Sequence, residues 1–191
     1  GTAAAGQAQA PRMAAAGHRG DETGGRAEVT LPAFSMNLPF AALLAHGYKT
    51  AESRNSTMFA RHGAGVVLLH VGRRLYPDGG QHREIMRRCG AAEAEVERLT
   101  KLPPPFRRGQ LVAAVLLGPT RLLSAPARST PASERACVAR GGASGRYFTR
   151  VLRAEYFSRP VDMPGRAGIF EATVPLDVLP GWARPRGGEG Q

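Results

Sequence analysis

The stretch NLPFAALLAHGYKTAESR, residues 37–54, combines a short apolar segment, a glycine and a run of charged residues. Pro39 suits the first turn of a helix, and the apolar side chains that follow fall on one helical face. Gly47 is placed to end this helix in a left-handed conformation. Residues 50–54 then continue as an extended segment. The stretch therefore predicts a helix that leads through a tight turn into a strand.

Three ionisable residues of mixed sign lie directly after that glycine, in the pattern G-x-K-x-x-E-x-R. In an extended segment Glu52 and Arg54 share one face, and Lys49 lies near the preceding turn. A carboxylate between two cations stays ionised, so the group can orient a polar ligand by donating and accepting hydrogen bonds together. We interpret these residues as the centre of a binding or catalytic site. The alternative is a solvated, charged strand edge.

The remaining chain predicts a mixed β fold with helices. Residues 66–71, apolar except for His70, and residues 110–117, apolar after Gln110, are runs typical of buried central strands. Residues 81–102 predict an inserted helical pair. Further strand patterns occupy residues 31–37, 147–157 and 168–174. Five to six short strands without regular βαβ alternation favour a small closed barrel.

Two other features are interpreted as ordinary structural elements. His70, at the end of an apolar run, is interpreted as a core histidine bonded to a neighbouring carbonyl group. The Ala-, Ser-, Pro- and Gly-rich residues 124–146 predict a long surface loop with one helical turn near residues 133–139.

The chain divides into three parts. Residues 1–28, rich in Ala, Gly and Arg, are predicted to be a disordered extension. Residues 29–180 are predicted to form one domain, and residues 181–191 are predicted to be a disordered tail. The first twenty residues lack acids and weakly resemble a transit peptide, so we expect a cytoplasmic or nuclear protein, or an organellar one if the extension is a transit peptide. No apolar run is long enough for a membrane span.

The net charge of +11 lies almost entirely in the folded part. Acidic and basic residues cancel within residues 1–28, and the last eleven residues add one positive charge. A basic folded domain favours RNA or phosphate-bearing ligands. The alternative is that a GC-rich genome places Arg over the whole surface.

Lysine is rare in this chain. Of the 26 basic residues only Lys49 and Lys101 are Lys. Because Lys, unlike Arg, can lose its proton or act as a compact donor, its retention at position 49 supports a specific role. Cys89 and Cys137 are too few and too far apart for a metal site, and we expect neither metal nor cofactor.

The stretch that begins Asn37-Leu38-Pro39-Phe40-Ala41 and ends in the G-x-K-x-x-E-x-R motif resembles the opening of ASCH domains. Three later segments extend the resemblance to the ASCH subgroup called endothelial-overexpressed lipopolysaccharide-associated factor. These segments are Val66–Val71, Leu111–Leu117 after Arg108-Gly109, and Tyr147-Phe148-Thr149 through Pro160-Val161 to Gly168-Ile169-Phe170. The likeness covers roughly residues 31–180.

This resemblance implies a PUA-like β-barrel with a cleft beside the motif that binds RNA or a modified nucleotide. Small bacterial relatives are amidohydrolases that use a Lys, a Thr and a Glu on acetylated cytidine. Lys49 matches that Lys, whereas Glu52 stands where the Thr is expected, which is a departure from the amidohydrolase pattern. Glu155 and Glu171 are the candidates for a second carboxylate.

Two further surfaces are candidates. Arg73, Arg74 and Tyr76 form a basic and aromatic cluster of the kind that nucleic-acid sites use, although a solvated turn has the same composition. The inserted residues 81–102 are a candidate surface for protein partners. The sequence thus leaves three functions open: RNA or nucleotide binding, amidohydrolysis, and protein interaction.

Overall fold

The computed structural model describes residues 27–141 and 146–185. Most of the predicted N-terminal extension, residues 1–26, and the end of the predicted tail, residues 186–191, lie outside the described residues. The boundaries of the domain differ slightly from expectation, since the first strand begins at Glu28 and residues 181–183 form a 3-10 helix with Ala183 buried.

Six strands of the described chain form one mixed sheet. In chain order they are β1 (Glu28–Leu38), β2 (Ala51–Arg54), β3 (Gly65–Leu75), β4 (Gln110–Leu122), β5 (Tyr147–Asp162) and β6 (Ile169–Pro175). Their order in the sheet is β2-β5-β4-β3-β1-β6. The β1–β3 pair is parallel, and the other neighbours are antiparallel.

The predicted mixed β fold is confirmed at this level, and β3 and β4 are the buried inner strands that their apolar runs indicated. The strand order does not confirm the predicted closure of the sheet into a barrel. The two ends of the strand order are β2 and β6, and the pairings of the described residues leave the sheet open between them. A closed barrel cannot be read from strand lengths, because closure depends on how far the sheet coils.

Six helices accompany the sheet within the described residues: α1 (Phe40–Ala45), α2 (Met58–His62), α3 (Gln81–Arg88), α4 (Glu93–Leu99), α5 (Ala125–Arg128) and α6 (Pro131–Cys137). The early helix and the inserted pair agree with the sequence analysis. The long loop contains two short helices where one turn was expected. Helix α2 was not foreseen, because five residues give no clear periodicity.

Both faces of the sheet are buried. Alternate residues of β3 separate, with Val67 and Leu69 in one apolar cluster and Leu68 in another. Helices α1 and α2 contribute Leu44 and Phe59 to the first cluster. The chain after β6 covers the second.

Trp182 belongs to that covering segment, which corrects the interpretation of residues 181–191 as a tail. Its ring packs against the second cluster, and its Nε1 donates to Glu155 Oε2 at 2.7 Å. The guanidinium of Arg153 lies 4.9 Å from the ring centroid. Residues 181–185 are therefore part of the domain.

The inserted pair supports the rest of the fold from one side. Ile85, Met86, Val96 and Leu99 pack in a third cluster with Leu43 of α1. The outer face of the helical pair is charged, and its side chains form ion pairs with one another. Arg83, for example, pairs with both Glu93 and Glu97. The pair therefore has its apolar face buried inside the domain, and a role for residues 81–102 in binding protein partners stays a prediction.

None of the helices that the structure describes is long and apolar enough to cross a membrane.

His70 ties the β5–β6 connection to the sheet, as its interpretation as a core histidine predicted. Its Nε2 donates to Met163 O at 3.1 Å, so Nδ1 accepts from the Ser35 hydroxyl, also at 3.1 Å. A Cβ on Gly165 would lie 2.3 Å from His70 Cε1, so glycine is required where this connection crosses the ring. Burial lowers the pKa of His70, partly offset by the backbone bonds to it, and Arg73 lowers it further.

We expect the free energy of unfolding to decrease as pH falls from about 7 to about 5. In the unfolded chain His46 and His70 take up protons near the ordinary histidine value of 6.5, whereas in the folded chain they do so at lower pH, because burial lowers the pKa of both. Urea unfolding at several pH values measures this dependence. Replacing both residues, His46→Gln with His70→Gln, should flatten it.

Carboxylates contribute little to the pH dependence of unfolding in this range. The pKa values of Asp78, Glu93 and Asp162 are lowered from the ordinary values of 3.8 for Asp and 4.5 for Glu. Their effect on the free energy of unfolding therefore falls mainly below the pH range used. An unchanged pH dependence in the double variant would contradict the assignment to the two histidines.

Candidate functional site

A cavity of about 620 Å³ opens beside the G-x-K-x-x-E-x-R motif. Its walls come from β1, the start of α1, residues 49–56, Tyr76 directly after β3 and the residues after α6. Lys49, Glu52 and Arg54 all line it. The three residues that the sequence analysis placed at the centre of the site therefore share one concave surface.

The helix end positions Lys49. Gly47 has a φ of +74°, which confirms the expected left-handed turn. The backbone N–H groups of Tyr48 and Lys49 then both donate to Leu43 O at 3.0 Å. This tight turn directs the Lys49 side chain inward, where the residue is only 2% exposed.

The three charged groups form a continuous chain. Lys49 Nζ lies 3.2 Å from Glu52 Oε2, and Arg54 Nε donates to Glu52 Oε1 at 3.0 Å. Each carboxylate oxygen thus has its own cationic partner. Burying charges is costly unless they are paired in this way. The side chain of Arg54 is 28% exposed and is the member of the three that a ligand can reach most easily.

Lys49 also joins the motif to helix α6. Its Nζ donates to Cys137 O at 2.5 Å, and the adjacent Thr50 N donates to Ala136 O at 2.9 Å. The ammonium group of Lys49 therefore has two acceptors, Cys137 O and Glu52 Oε2. This arrangement favours Lys49 as a fixed donor over Lys49 as a nucleophile, which needs a free lone pair.

The thiol of Cys137 is not an activated nucleophile. Burial raises its pKa, and the charge of Lys49 and a hydrogen bond with Ser53 only partly oppose that effect. A raised thiol pKa lowers the fraction of reactive thiolate at neutral pH. Cys137 is thus a packing residue of α6.

Two aromatic rings stand at one side of the cavity. Phe40 and Tyr76 meet edge to face, with ring centroids 5.5 Å apart. Lys49 Nζ lies 5.4 Å from the Phe40 centroid. Tyr76 as a residue is 55% exposed, so a planar group can reach its ring.

Only one member of the predicted basic and aromatic cluster of Arg73, Arg74 and Tyr76 lines the cavity. Tyr76 lines the cavity, whereas Arg73 and Arg74 are exposed and do not. Arg73 O accepts a hydrogen bond from Arg108 Nη1 at 3.1 Å. Glu155 and Glu171 also lie outside the cavity lining, so neither supplies a second carboxylate there.

Sequence reasoning missed several lining residues. Arg140 comes from the chain after α6, and Ser35, Asn37 and Asn55 come from the strand ends on either side of the motif. The length of the loop 124–146 was a signal for Arg140, but nothing in the sequence indicated which of its arginines returns to the site. Polar residues at strand ends gain meaning only from the fold.

The arrangement can hold a polar, planar ligand by stacking, by hydrogen bonds from two guanidinium groups and by a carboxylate acceptor. Among the described residues there is no group of three His, Cys, Asp or Glu side chains that could bind a metal ion. No protein-family model matches the chain.

We expect Lys49→Met to lower the free energy of unfolding by about 3 kcal/mol, because Glu52 and Cys137 O each lose a buried partner. The other lysine of the chain provides a matched control. Lys101 pairs with Glu97, but its side chain is 71% exposed, so Lys101→Met should change stability by less than about 0.5 kcal/mol. Urea denaturation of both variants measures the difference. Equal losses would show that the pairing of Lys49 contributes nothing.

Proposed function

We propose that this chain is an ASCH-type protein of the PUA-like class that binds RNA or a modified nucleotide in the cavity beside residues 49–54. The observation that carries the proposal is the ion chain of Lys49, Glu52 and Arg54 in the same cavity wall as an exposed tyrosine ring. Such a site offers stacking to a base and donors to its oxygen atoms.

The roles of the residues follow from their exposure. Arg54, the most exposed of the three, contacts a phosphate or carbonyl oxygen of the ligand. Glu52 holds Arg54 at 3.0 Å and accepts from a base amino group. Lys49, almost fully buried, is a positioning residue that fixes the carboxylate of Glu52.

Charge supports the same class of ligand. The chain has a net charge of +11, and the cavity lining holds Lys49, Arg54 and Arg140 against one acid, Glu52. Arg140 also pairs with Glu84 through one of its nitrogen atoms. The lining thus retains positive charge, which attracts phosphate groups.

We expect a labelled single-stranded RNA of random sequence to bind the full chain with an affinity that falls as salt rises. Tyr76→Ala should weaken binding about tenfold at each salt concentration, because one stacking contact is lost. Arg54→Gln should weaken binding and reduce the slope of log K against log salt by about 0.7, the contribution of one phosphate contact on a single strand. Fluorescence anisotropy measures both quantities.

Arg61→Gln is the matched control for charge, since Arg61 is exposed on α2 and lies outside the cavity lining. It should leave both the affinity and the salt slope close to those of the wild type, in contrast to Arg54→Gln. The proposal would be refuted by an absence of RNA and nucleotide binding at about 50 mM salt, where phosphate contacts are strong.

A second candidate function is hydrolysis of an acylated nucleoside. It is favoured by one distance, the 3.2 Å between Lys49 Nζ and Glu52 Oε2 inside the cavity, which would let the two exchange a proton. The two acceptors already bound to Lys49 favour binding over this chemistry.

Acylated nucleosides separate the two functions. We expect no turnover above the uncatalysed rate, and only a partial loss of ligand affinity in Lys49→Arg, which keeps the charge but cannot exchange a proton near neutral pH. Chromatographic detection of the deacylated nucleoside is the measurement. Turnover by the wild type that disappears in Lys49→Arg would establish the hydrolase instead.

A further inference from the structure

A second, smaller cavity of about 20 Å³ lies beside the main one. It forms where β2 and β5 meet the α5–α6 segment, and its polar lining comes from Ser53, Arg128, Ser133 and Arg140. Ser53 and Arg140 also line the main cavity. The two spaces are therefore neighbours that share part of a wall.

Arg128, the last residue of α5, has an unusual position in this small cavity. Its Nε and Nη1 atoms are buried, and neither has a hydrogen-bond partner among the described residues. Buried donors without acceptors are costly, and native structures rarely leave them so. The lining includes a second guanidinium, that of Arg140, and no carboxylate within the described chain. An acceptor with negative charge would satisfy these donors and offset the two guanidinium charges.

The surrounding backbone holds Arg128 in place. A Cβ on Gly141 would lie 2.2 Å from Arg128 O, so the chain after α6 passes directly against the end of α5. Ser129 Oγ donates to Gly141 O at 2.9 Å, and Gly141 N donates to Glu134 Oε1 at 3.2 Å. The guanidinium of Arg128 therefore projects from a fixed segment.

We propose that this small cavity is an anion subsite that takes oxygen atoms of a phosphate group on the ligand of the main cavity. The space holds one or two oxygen-sized atoms, so the rest of the phosphate lies toward the shared wall at Arg140. Arginine matches phosphate oxygens in a two-pronged geometry. The inference rests on the proposed function and makes it more specific: it assigns the phosphate group of that ligand to Arg128 and Arg140.

The test compares the four ribonucleosides with their 3′- and 5′-monophosphates, using isothermal titration calorimetry on the full chain. We expect at least one monophosphate to bind about tenfold or more tightly than its nucleoside, the usual effect of a hydrogen bond to a charged group. In Arg128→Gln this advantage should fall to about twofold or less. Nucleoside binding should be the same in both proteins, since Arg128 does not line the main cavity.

Inorganic phosphate provides a readout that does not depend on the base. At constant ionic strength, phosphate should raise the unfolding temperature of the wild type more than chloride does. Arg128→Met should lose that selectivity, while its stability without phosphate stays equal to or above that of the wild type, because two unpaired buried donors are gone. Arg61→Gln, which removes an equal charge elsewhere, should behave as the wild type does.

The outcomes separate the two proposals. Nucleosides that bind with no gain from the phosphate, together with no phosphate effect on stability, would overturn the subsite and leave the proposed function intact. Phosphate stabilisation that depends on Arg128, without any binding of nucleosides, nucleotides or RNA, would support the anion site and refute the proposed function. An oligonucleotide lacking terminal phosphates distinguishes the sources, because it shows the Arg128-dependent gain only if internal phosphodiesters enter the subsite.

Discussion

The buried ammonium of Lys49 is the contact on which the site depends. It joins three separate parts of the chain: the turn after α1 that carries it, the strand β2 that presents Glu52, and the carbonyl at the end of α6. Each charge removed from water here costs several kcal/mol before pairing, so the arrangement is stable only while all its members are present. A compact ammonium with three donors suits two acceptors in a narrow space better than a planar guanidinium does.

The same constraint places the ligand surface. Because Glu52 is held by Lys49 on one side and Arg54 on the other, the guanidinium of Arg54 is fixed at the cavity wall. The end of β3 delivers Tyr76 to that wall, where its backbone N–H donates to Leu38 O at 2.8 Å. The chain after α6 then adds Arg140, and the end of α5 places Arg128 behind it. The proposed base site and the proposed phosphate subsite are thus two parts of one structure.

Local sequence signals predicted the elements well where one interaction dominated. Continuous apolar runs identified β3 and β4 as inner strands, and Gly47 identified the end of α1. They failed where packing decided the outcome. Helix α2 has too few residues for a periodic pattern, and Trp182 appeared to lie in a tail because its partners, Arg153 and Glu155, are distant in sequence.

The sequence by itself determined the mixed set of strands and helices and the close spacing of Lys49, Glu52 and Arg54, since neighbours in the chain are also neighbours in space. Only the tertiary structure decided that these charges face a cavity, that Tyr76 joins them while Arg73 and Arg74 do not, and that the sheet remains open between β2 and β6. The physical reason is that side-chain direction at a strand end, sheet coiling and the return path of a long loop depend on contacts between residues far apart in the chain. No local pattern encodes those contacts.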